Sequence, residues 1–173
     1  MQKVIRESKN KATKPFILVN KSIFFPESGI LAIGDLQIGY EVMLKQKGFH
    51  FPLSQLKHTI EDIQRIIDGL KKKNYIIKKI ILLGDIKHHF GFDIDEKFQV
   101  RKLLEFLEDN IGRINLILIR GNHEKFNLDG REYRDFYIDN STRTLFLHGD
   151  RLLPQINNKK ITCIVMGHIH PAI

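Results

Sequence analysis

Five short apolar segments, each followed closely by metal-binding or hydrogen-bonding residues, constrain the fold of this chain more than any other feature. The polar groups that follow them are Asp35-Leu36-Gln37, Gly84-Asp85, Gly121-Asn122-His123-Glu124, His148-Gly149 and Gly167-His168-Ile169-His170. Apolar segments of this length are typical of buried strands. Open α/β sheets place their functional sites at the carboxyl ends of the strands. The pattern therefore predicts an α/β fold in which these polar groups come together.

The remaining elements follow from periodicity and turn residues. The strand-like segments are 16–19, 22–25, 30–34, 76–83, 116–119, 144–147 and 162–166. The first two flank Asn20-Lys21 and predict a tight β-hairpin. Ser54 is expected to cap a helix that runs through Leu70, and residues 95–112 predict a second helix with Phe98 on its inner side. Strands combined with two long helices indicate layers of sheet and helix.

The composition describes one folded domain. A length of 173 residues suits a single domain, and 42% hydrophobic residues are enough for a packed core and exclude wholesale disorder. No apolar run approaches the ~20 residues of a membrane-spanning helix, so no membrane association is expected. The single cysteine, Cys163, excludes an internal disulfide framework and fits a reducing cytosol. We therefore expect a cytoplasmic protein.

The formal net charge of +8 is concentrated in two stretches. Residues 1–14 and residues 57–79 each carry an excess of four positive charges, and the rest of the chain is balanced. We interpret residues 1–14 as a basic N-terminal arm and residues 15–173 as the folded domain. Two interpretations of the charge stay open: contact with the phosphates of DNA or RNA, and ordinary solvated surface.

The residue types at the strand ends suit a particular class of metal site. Asp, Asn and His are oxygen and nitrogen ligands for divalent ions such as Mn²⁺, Zn²⁺ or Fe²⁺. Seven such positions exceed the needs of one tetrahedral ion but suit two ions that share a bridging ligand. A pair of ions of this kind can clamp a phosphoryl group and activate a water molecule.

In this order the motifs resemble those of the calcineurin-like metallophosphoesterases, whose pattern is Asp-x-His, Gly-Asp, Gly-Asn-His-Asp/Glu, His-Gly and Gly-His-x-His. Residues 35–41 and 84–88 further resemble the stand-alone ICC-like branch, which is related to SbcD-type nuclease subunits. The resemblance spans residues 16–171. It implies a layered αββα sandwich of mixed sheets flanked by helices.

The resemblance also implies two divalent metal ions, with Mn²⁺ expected first and Zn²⁺, Fe²⁺ or Ni²⁺ as alternatives. The ligands carried over to the first ion are Asp35, Gln37 and His170. Those carried over to the second are Asn122, His148 and His168, with Asp85 bridging both ions. Gln37 is a departure, because the family usually has a histidine at that position and an amide oxygen is a poorer ligand for transition ions.

The same resemblance gives His123 a catalytic role and no metal. It would contact a phosphoryl oxygen or protonate the leaving oxygen, as a histidine can near neutral pH. Lys87 and His88 are candidate substrate contacts, and an exposed basic loop is the alternative interpretation.

The function implied is hydrolysis of phosphodiester or phosphomonoester bonds by a water activated between two metal ions. Nucleic acids or nucleotides are the expected substrates, and whether the protein has a protein partner is unknown from the sequence. The alternative is a noncatalytic module that binds nucleic acid or a partner and whose metal site is impaired at Gln37. The chain ends three residues after His170, where relatives continue with further strands. A truncated product and a short natural form both stay open.

Overall fold

The computed structural model describes residues 16–50, 52–89, 93–124 and 130–169. The predicted basic arm, residues 1–14, and the candidate ligand His170 lie outside these ranges. The strands are β1 (Ile17–Val19), β2 (Ser22–Phe25), β3 (Ile30–Ile33), β4 (Lys79–Leu82), β5 (Leu116–Ile119), β6 (Tyr133–Arg134), β7 (Phe136–Asp139), β8 (Thr144–Leu147) and β9 (Cys163–Met166). The helices are α1 (Tyr40–Gln46), α2 (Gln55–Lys72) and α3 (Ile94–Ile111), with short 3₁₀ turns at Arg113–Asn115 and Pro154–Asn157.

The strands form two mixed sheets. The first has the order β1-β2-β3-β4-β5-β6. In it, β2 is antiparallel to both β1 and β3, and β3, β4, β5 and β6 are parallel to one another. The second has the order β7-β8-β9, with β7 antiparallel and β9 parallel to β8. Because β3, β4 and β5 are parallel neighbours, their carboxyl ends lie side by side at one edge of the sheet.

Alternate residues of the first sheet pack into two separate apolar cores. Leu31 and Ile80, on one face, pack against the buried sides of α2 and α3. Ala32 and Ile81, on the other face, pack with Phe146 of the second sheet. Successive side chains of a strand point to opposite faces, so strands with apolar residues at every position are required to fill both cores. The predicted α/β class, with layered mixed sheets and helices, is confirmed.

Helix α2 runs from the site edge of the sheet to the opposite edge. Its first residue, Gln55, hydrogen-bonds the loop that follows β3. Beyond its last turn, the Tyr75 ring packs on Phe24, and the Lys78 N–H donates to the Gly29 carbonyl just before β3 begins. Lys71–Lys73 therefore lie at the far edge from the strand ends that carry the polar motifs. Within the described residues, no helix is long and apolar enough to cross a membrane.

Two local predictions were wrong in detail. Ser54 precedes α2 as expected, but its side chain does not cap the helix; instead the Glu41 carboxylate accepts the N–H groups of Ser54 and Gln55 at 2.6 and 2.8 Å. Phe98 was expected on the inner side of the second helix, yet 53% of its surface is exposed. Its ring lies under the ammonium group of Lys102, 4.4 Å from the ring centre, an arrangement that stabilises an aromatic ring at the surface.

Candidate metal centre

Three of the predicted ligands meet where β4, β8 and β9 end. Donor atoms of Asp85, His148 and His168 all lie within 4.8 Å of one another. Asp85 and His148 are buried, and His168 is exposed. One carboxylate and two imidazoles facing a common point, one of them open to solvent, are donors that a borderline divalent ion accepts. The residues present therefore fit a divalent metal.

Asn122 completes this group from the loop after β5. Its Oδ1 lies 3.0 Å from His148 Nε2. The other ring nitrogen of His148, Nδ1, lies 2.8 Å from the Leu83 carbonyl oxygen. That carbonyl can only accept, so Nδ1 carries a hydrogen, and Nε2 is the ring nitrogen that faces the centre. Histidine ligands of metals are commonly oriented in this way by a carbonyl behind them.

The predicted ligands of the first ion are placed less completely. Both carboxylate oxygens of Asp35 accept the backbone N–H of His168, at 3.0 and 3.2 Å, which ties the end of β3 to the loop after β9. Gln37 reaches the same edge, where its N–H donates to the Asp85 carbonyl oxygen at 2.9 Å. Its own carbonyl oxygen accepts from the Gln55 amide at 2.9 Å. Metal binding by these residues stays a prediction, as does that by His170, which lies outside the described residues.

Four of the predicted ligands have an unusual backbone conformation. Asp35, Gln37, Asp85 and His168 have φ angles of 50, 45, 46 and 64°, in the left-handed region that residues other than glycine seldom adopt. Such conformations cluster at functional sites, where the surrounding structure holds them. Here they turn the chain directly after a strand and bring each side chain to the common edge.

Two glycines leave room that any side chain would fill. A Cβ on Gly121 would lie 2.4 Å from both the backbone nitrogen and the Oδ1 of Asp85. A Cβ on Gly84 would lie 2.6 Å from His148 Nδ1 and 2.8 Å from the Gly121 Cα. The loops after β4 and β5 thus touch through their backbones, and this contact is what allows Asp85 and Asn122 to face the same point.

A buried carboxylate holds these two loops together. Glu124 is 2% exposed, and its Oε2 accepts the N–H groups of Asp85 and Gly121, both at 2.9 Å. Its Oε1 accepts those of Ile86 and Lys87, at 2.8 and 3.2 Å. Burial, together with the charge of Asp85, raises the pKa of Glu124, although the N–H groups of Lys87, Gly121 and Asp85 act to lower it. The Glu124 carboxylate therefore fixes the backbone on both sides of the bridging position.

A second buried carboxylate supports the proposed acid. The Nδ1 of His123 is hydrogen-bonded to the carbonyl oxygen of His88, which assigns the hydrogen to Nδ1 and turns Nε2 toward Asp85 Oδ2, 3.7 Å away. Glu96, at 2% exposure, accepts the N–H groups of His88 and His89 at 3.0 and 2.6 Å. The loop that orients the His123 ring is thus anchored to the first turn of α3.

The predicted substrate contact Lys87 is partly engaged within the protein. Its ammonium nitrogen lies 3.9 Å from Glu96 Oε2 and is hydrogen-bonded to the His89 carbonyl oxygen. The side chain is 19% exposed. His88, the other predicted contact, packs its ring edge-on against Tyr40 with ring centres 5.0 Å apart. Substrate binding by both residues stays a prediction.

Asp85 and His148 shift each other's proton affinity in opposite directions. Burial acts to raise the pKa of Asp85, but the hydrogen bond and charge of His148, with the N–H of His123, outweigh it and lower the pKa. Burial acts to lower the pKa of His148, but Asp85 and the Leu83 carbonyl outweigh it and raise the pKa. The Asp85 carboxylate is therefore held in the ionised form that a metal ligand needs.

Sequence reasoning gave no role to three residues that position the site. Glu124 stands last in the Gly-Asn-His-Glu motif, so its place was visible but its acceptor role was not. Glu96 follows Asp93 by three residues, the spacing of a capping box, and the Glu96 N–H does donate to the Asp93 carboxylate at 2.8 Å. Gln55, which bridges the Gln37 carbonyl and the Gly39 N–H, left no signal in the sequence pattern.

Comparison with known proteins gives one family and one similar fold. The sequence model of the calcineurin-like phosphoesterases matches residues 29–172. The fold is similar to the crystal structure of the nuclease MPE from Pseudomonas putida, with a TM-score of 0.56 and 18% sequence identity. The match covers 87% of this chain and 66% of that protein, so this chain spans about two thirds of its length. No curated protein matches the sequence.

Proposed function

Because this chain belongs to the calcineurin-like phosphoesterase family, we propose that it is a metal-dependent hydrolase of phosphodiester or phosphomonoester bonds in nucleic acids or nucleotides. The observation that carries the proposal is the meeting of Asp85, His148 and His168 at the carboxyl edge, with Asn122 beside them. The expectation of a reducing cytosol, from the single cysteine, stays a prediction.

The proposed cofactor is a pair of divalent ions, with Mn²⁺ first among the candidates. Asn122, His148 and His168 would hold one ion, and Asp35, Gln37 and His170 the other, with Asp85 shared. Such ions supply Lewis-acid polarisation of a phosphoryl oxygen and a lowered pKa for water. The Leu83 carbonyl fixes the orientation of the His148 ring so that Nε2 faces the centre, which favours metal binding through that nitrogen.

His123 is the proposed general acid. Its Nδ1 hydrogen is held by the His88 carbonyl, so Nε2 is the ring nitrogen that faces the centre. In that position Nε2 can give a proton to the oxygen that leaves phosphorus, a step that typically contributes ~10²–10⁴-fold in rate. The ring is 9% exposed, and its orientation depends on the Glu96 contacts described above.

A second candidate function rests on Gln37. With an amide in place of the family's usual histidine, the first ion would bind weakly, and the protein would bind nucleic acid or a partner without hydrolysing it. The two candidates differ in turnover and in metal content, so a single purified sample separates them.

The test combines metal analysis with Mn²⁺-dependent hydrolysis of bis(p-nitrophenyl) phosphate. If the protein is the proposed enzyme, we expect two ions per chain and turnover that Asp85→Asn abolishes. The control is Asp150→Asn, which changes an exposed acid after the His148-Gly149 motif and should leave turnover unchanged. Gln37→His should raise metal affinity or turnover. One ion or none, without turnover in the wild type, would favour the noncatalytic module, and full turnover in Asp85→Asn would overturn the ligand assignment.

A further inference from the structure

A cleft of about 410 Å³ opens beside Asp35, on the helix side of the sheet edge that carries the candidate ligands. Its walls come from the β1–β2 turn, the loop after β3, the start of α1 and the first half of α2. Sites for small molecules commonly occupy 300–1,000 Å³. The hydrolytic chemistry proposed above uses this cleft only through Asp35, so the rest of the cleft is available for another part of the substrate.

The cleft has an apolar floor and a polar rim. Ile63 and Ile66 of α2, at 2% and 6% exposure, form part of the floor. Asn20 and Lys21, from the exposed tip of the hairpin, and His58, from α2, lie on the rim. The lining also includes the side chains of Glu41, Gln55 and Asp62. Apolar surface beside such hydrogen-bonding groups suits a flat ring that carries hydrogen-bonding substituents.

Tyr40 connects the cleft to the proposed acid. Its ring lines the cleft and is 44% exposed, which is unusual for an aromatic side chain beside a buried site. The Tyr40 ring also packs edge to face with the His88 ring, and the His88 carbonyl oxygen is hydrogen-bonded to His123. A group stacked on Tyr40 would therefore lie in the cleft that Asp35 also lines, next to the residue whose carbonyl oxygen orients the proposed acid.

We infer that this cleft is a nucleoside subsite, in which an unpaired base next to the scissile phosphate stacks on Tyr40 over the isoleucine floor. Bases of any identity stack on aromatic side chains because every base has a π-face, so the subsite selects nucleotides without reading sequence. The inference rests on the proposed function, since the phosphate attached to the base is the one to be hydrolysed. In this arrangement the nucleoside lies in the cleft, and Tyr40 is the side chain on which its base stacks.

The test compares two esters with the same leaving group. One is the p-nitrophenyl ester of thymidine 5′-phosphate, and the other is methyl p-nitrophenyl phosphate, which has no base. The quantity measured is the ratio of their kcat/KM values with Mn²⁺, because a general effect on the centre cancels in that ratio. We expect Tyr40→Ala to lower the ratio about tenfold, within the usual range for losing one base stack. Tyr40→Phe should keep it, since the ring remains.

Two further variants keep the test decisive. Thr59→Phe, on the α2 wall, fills the cleft without removing Tyr40 and should lower the ratio as well. Phe98→Ala removes another exposed aromatic ring, near the start of α3 and outside the cleft lining, and should leave the ratio unchanged. A ratio within twofold of wild type in both Tyr40→Ala and Thr59→Phe would overturn the nucleoside subsite alone. Failure of the wild type to hydrolyse either ester would overturn the proposed function, and the subsite with it.

Discussion

Glu124 offers the sharpest test of how this fold holds its site, because four backbone N–H groups from two loops converge on one buried carboxylate. Glu124→Ala removes the acceptor of all four. Leaving a buried donor unsatisfied costs ~1–3 kcal/mol, and three of these donors are fully buried. Allowing for water that enters the vacated space, we expect a loss of ~3–5 kcal/mol in the free energy of unfolding.

Glu124→Gln divides this effect in a predictable way. One oxygen of the side chain stays and keeps two of the N–H groups, while the new amide NH₂ faces the other two donors. The expected loss in the free energy of unfolding is therefore about half, ~1.5–2.5 kcal/mol. In Glu124→Ala the Asp85 N–H loses its acceptor, so metal affinity should also fall, by ~10–100-fold, as is usual when a group supporting a ligand is lost.

The assay is urea unfolding followed by circular dichroism, with Mn²⁺ titration of the folded variants. Glu105→Ala, an exposed acid on α3, is the matched control and should change stability by less than ~0.5 kcal/mol. A loss below ~1 kcal/mol in Glu124→Ala would refute the reasoning, because it would mean that the four N–H groups find other acceptors without cost.

Three further outcomes are expected. Burial acts to raise the pKa of Asp139, but hydrogen bonds from two hydroxyls and two N–H groups of the following turn outweigh it and lower the pKa. The stability that these hydrogen bonds give to the folded state is present above pH 3.8 and is lost as the pH falls through the lowered pKa. In thermal unfolding, Asp139→Asn should therefore cost ~1–2 kcal/mol at pH 7 and progressively less below pH 3.8, and a constant difference would contradict this. Gly121→Ala should abolish Mn²⁺ binding measured by calorimetry, because the added Cβ would overlap Asp85. The control Gly69→Ala adds a Cβ in open space on α2, so this variant should bind Mn²⁺ normally and gain up to ~1 kcal/mol in the free energy of unfolding. Replacing Lys71–Lys73 by glutamine should weaken binding to long DNA or RNA and flatten its salt dependence while hydrolysis of bis(p-nitrophenyl) phosphate is unchanged; unaltered binding would leave this charge as solvated surface.

The strands were the most predictable part of the fold. The runs at 116–119 and 144–147 coincide with β5 and β8, because strands buried on both faces are apolar throughout and polar motifs mark their ends. The run at 76–83 was too long, since β4 begins at Lys79 and Ile76 is 73% exposed before it. An apolar residue that approaches a sheet without entering it cannot be distinguished by pattern alone. Helix α1 was missed because its seven residues are too few to show a periodicity.

The candidate site was predictable only in its outline. The polar motifs at the strand ends predicted that Asp85, His148 and His168 would meet. His148 and His168 follow parallel neighbours of the second sheet, whereas Asp85 follows β4 of the first, so the packing of the two sheets also brings them together. The role of Glu124 depends on three backbone N–H groups that lie 37, 38 and 39 residues away, besides that of the nearby Gly121. The role of Glu96 depends on a loop before α3, and neither set of contacts has a sequence signature. Whether the assembled residues bind two ions stays a prediction.

Helix α2 carries the cleft at one end and the lysine cluster at the other, and this separation sets a minimum length for any substrate that uses both. Its 18 residues span about 27 Å. A duplex that rises 3.4 Å per base pair covers this distance in about eight base pairs. This is the length needed to reach Lys71–Lys73 from the Gln55 end of the cleft. For nucleic acid bound at that end of the cleft, we therefore expect affinity to depend on these lysines only when the duplex is about eight base pairs or longer.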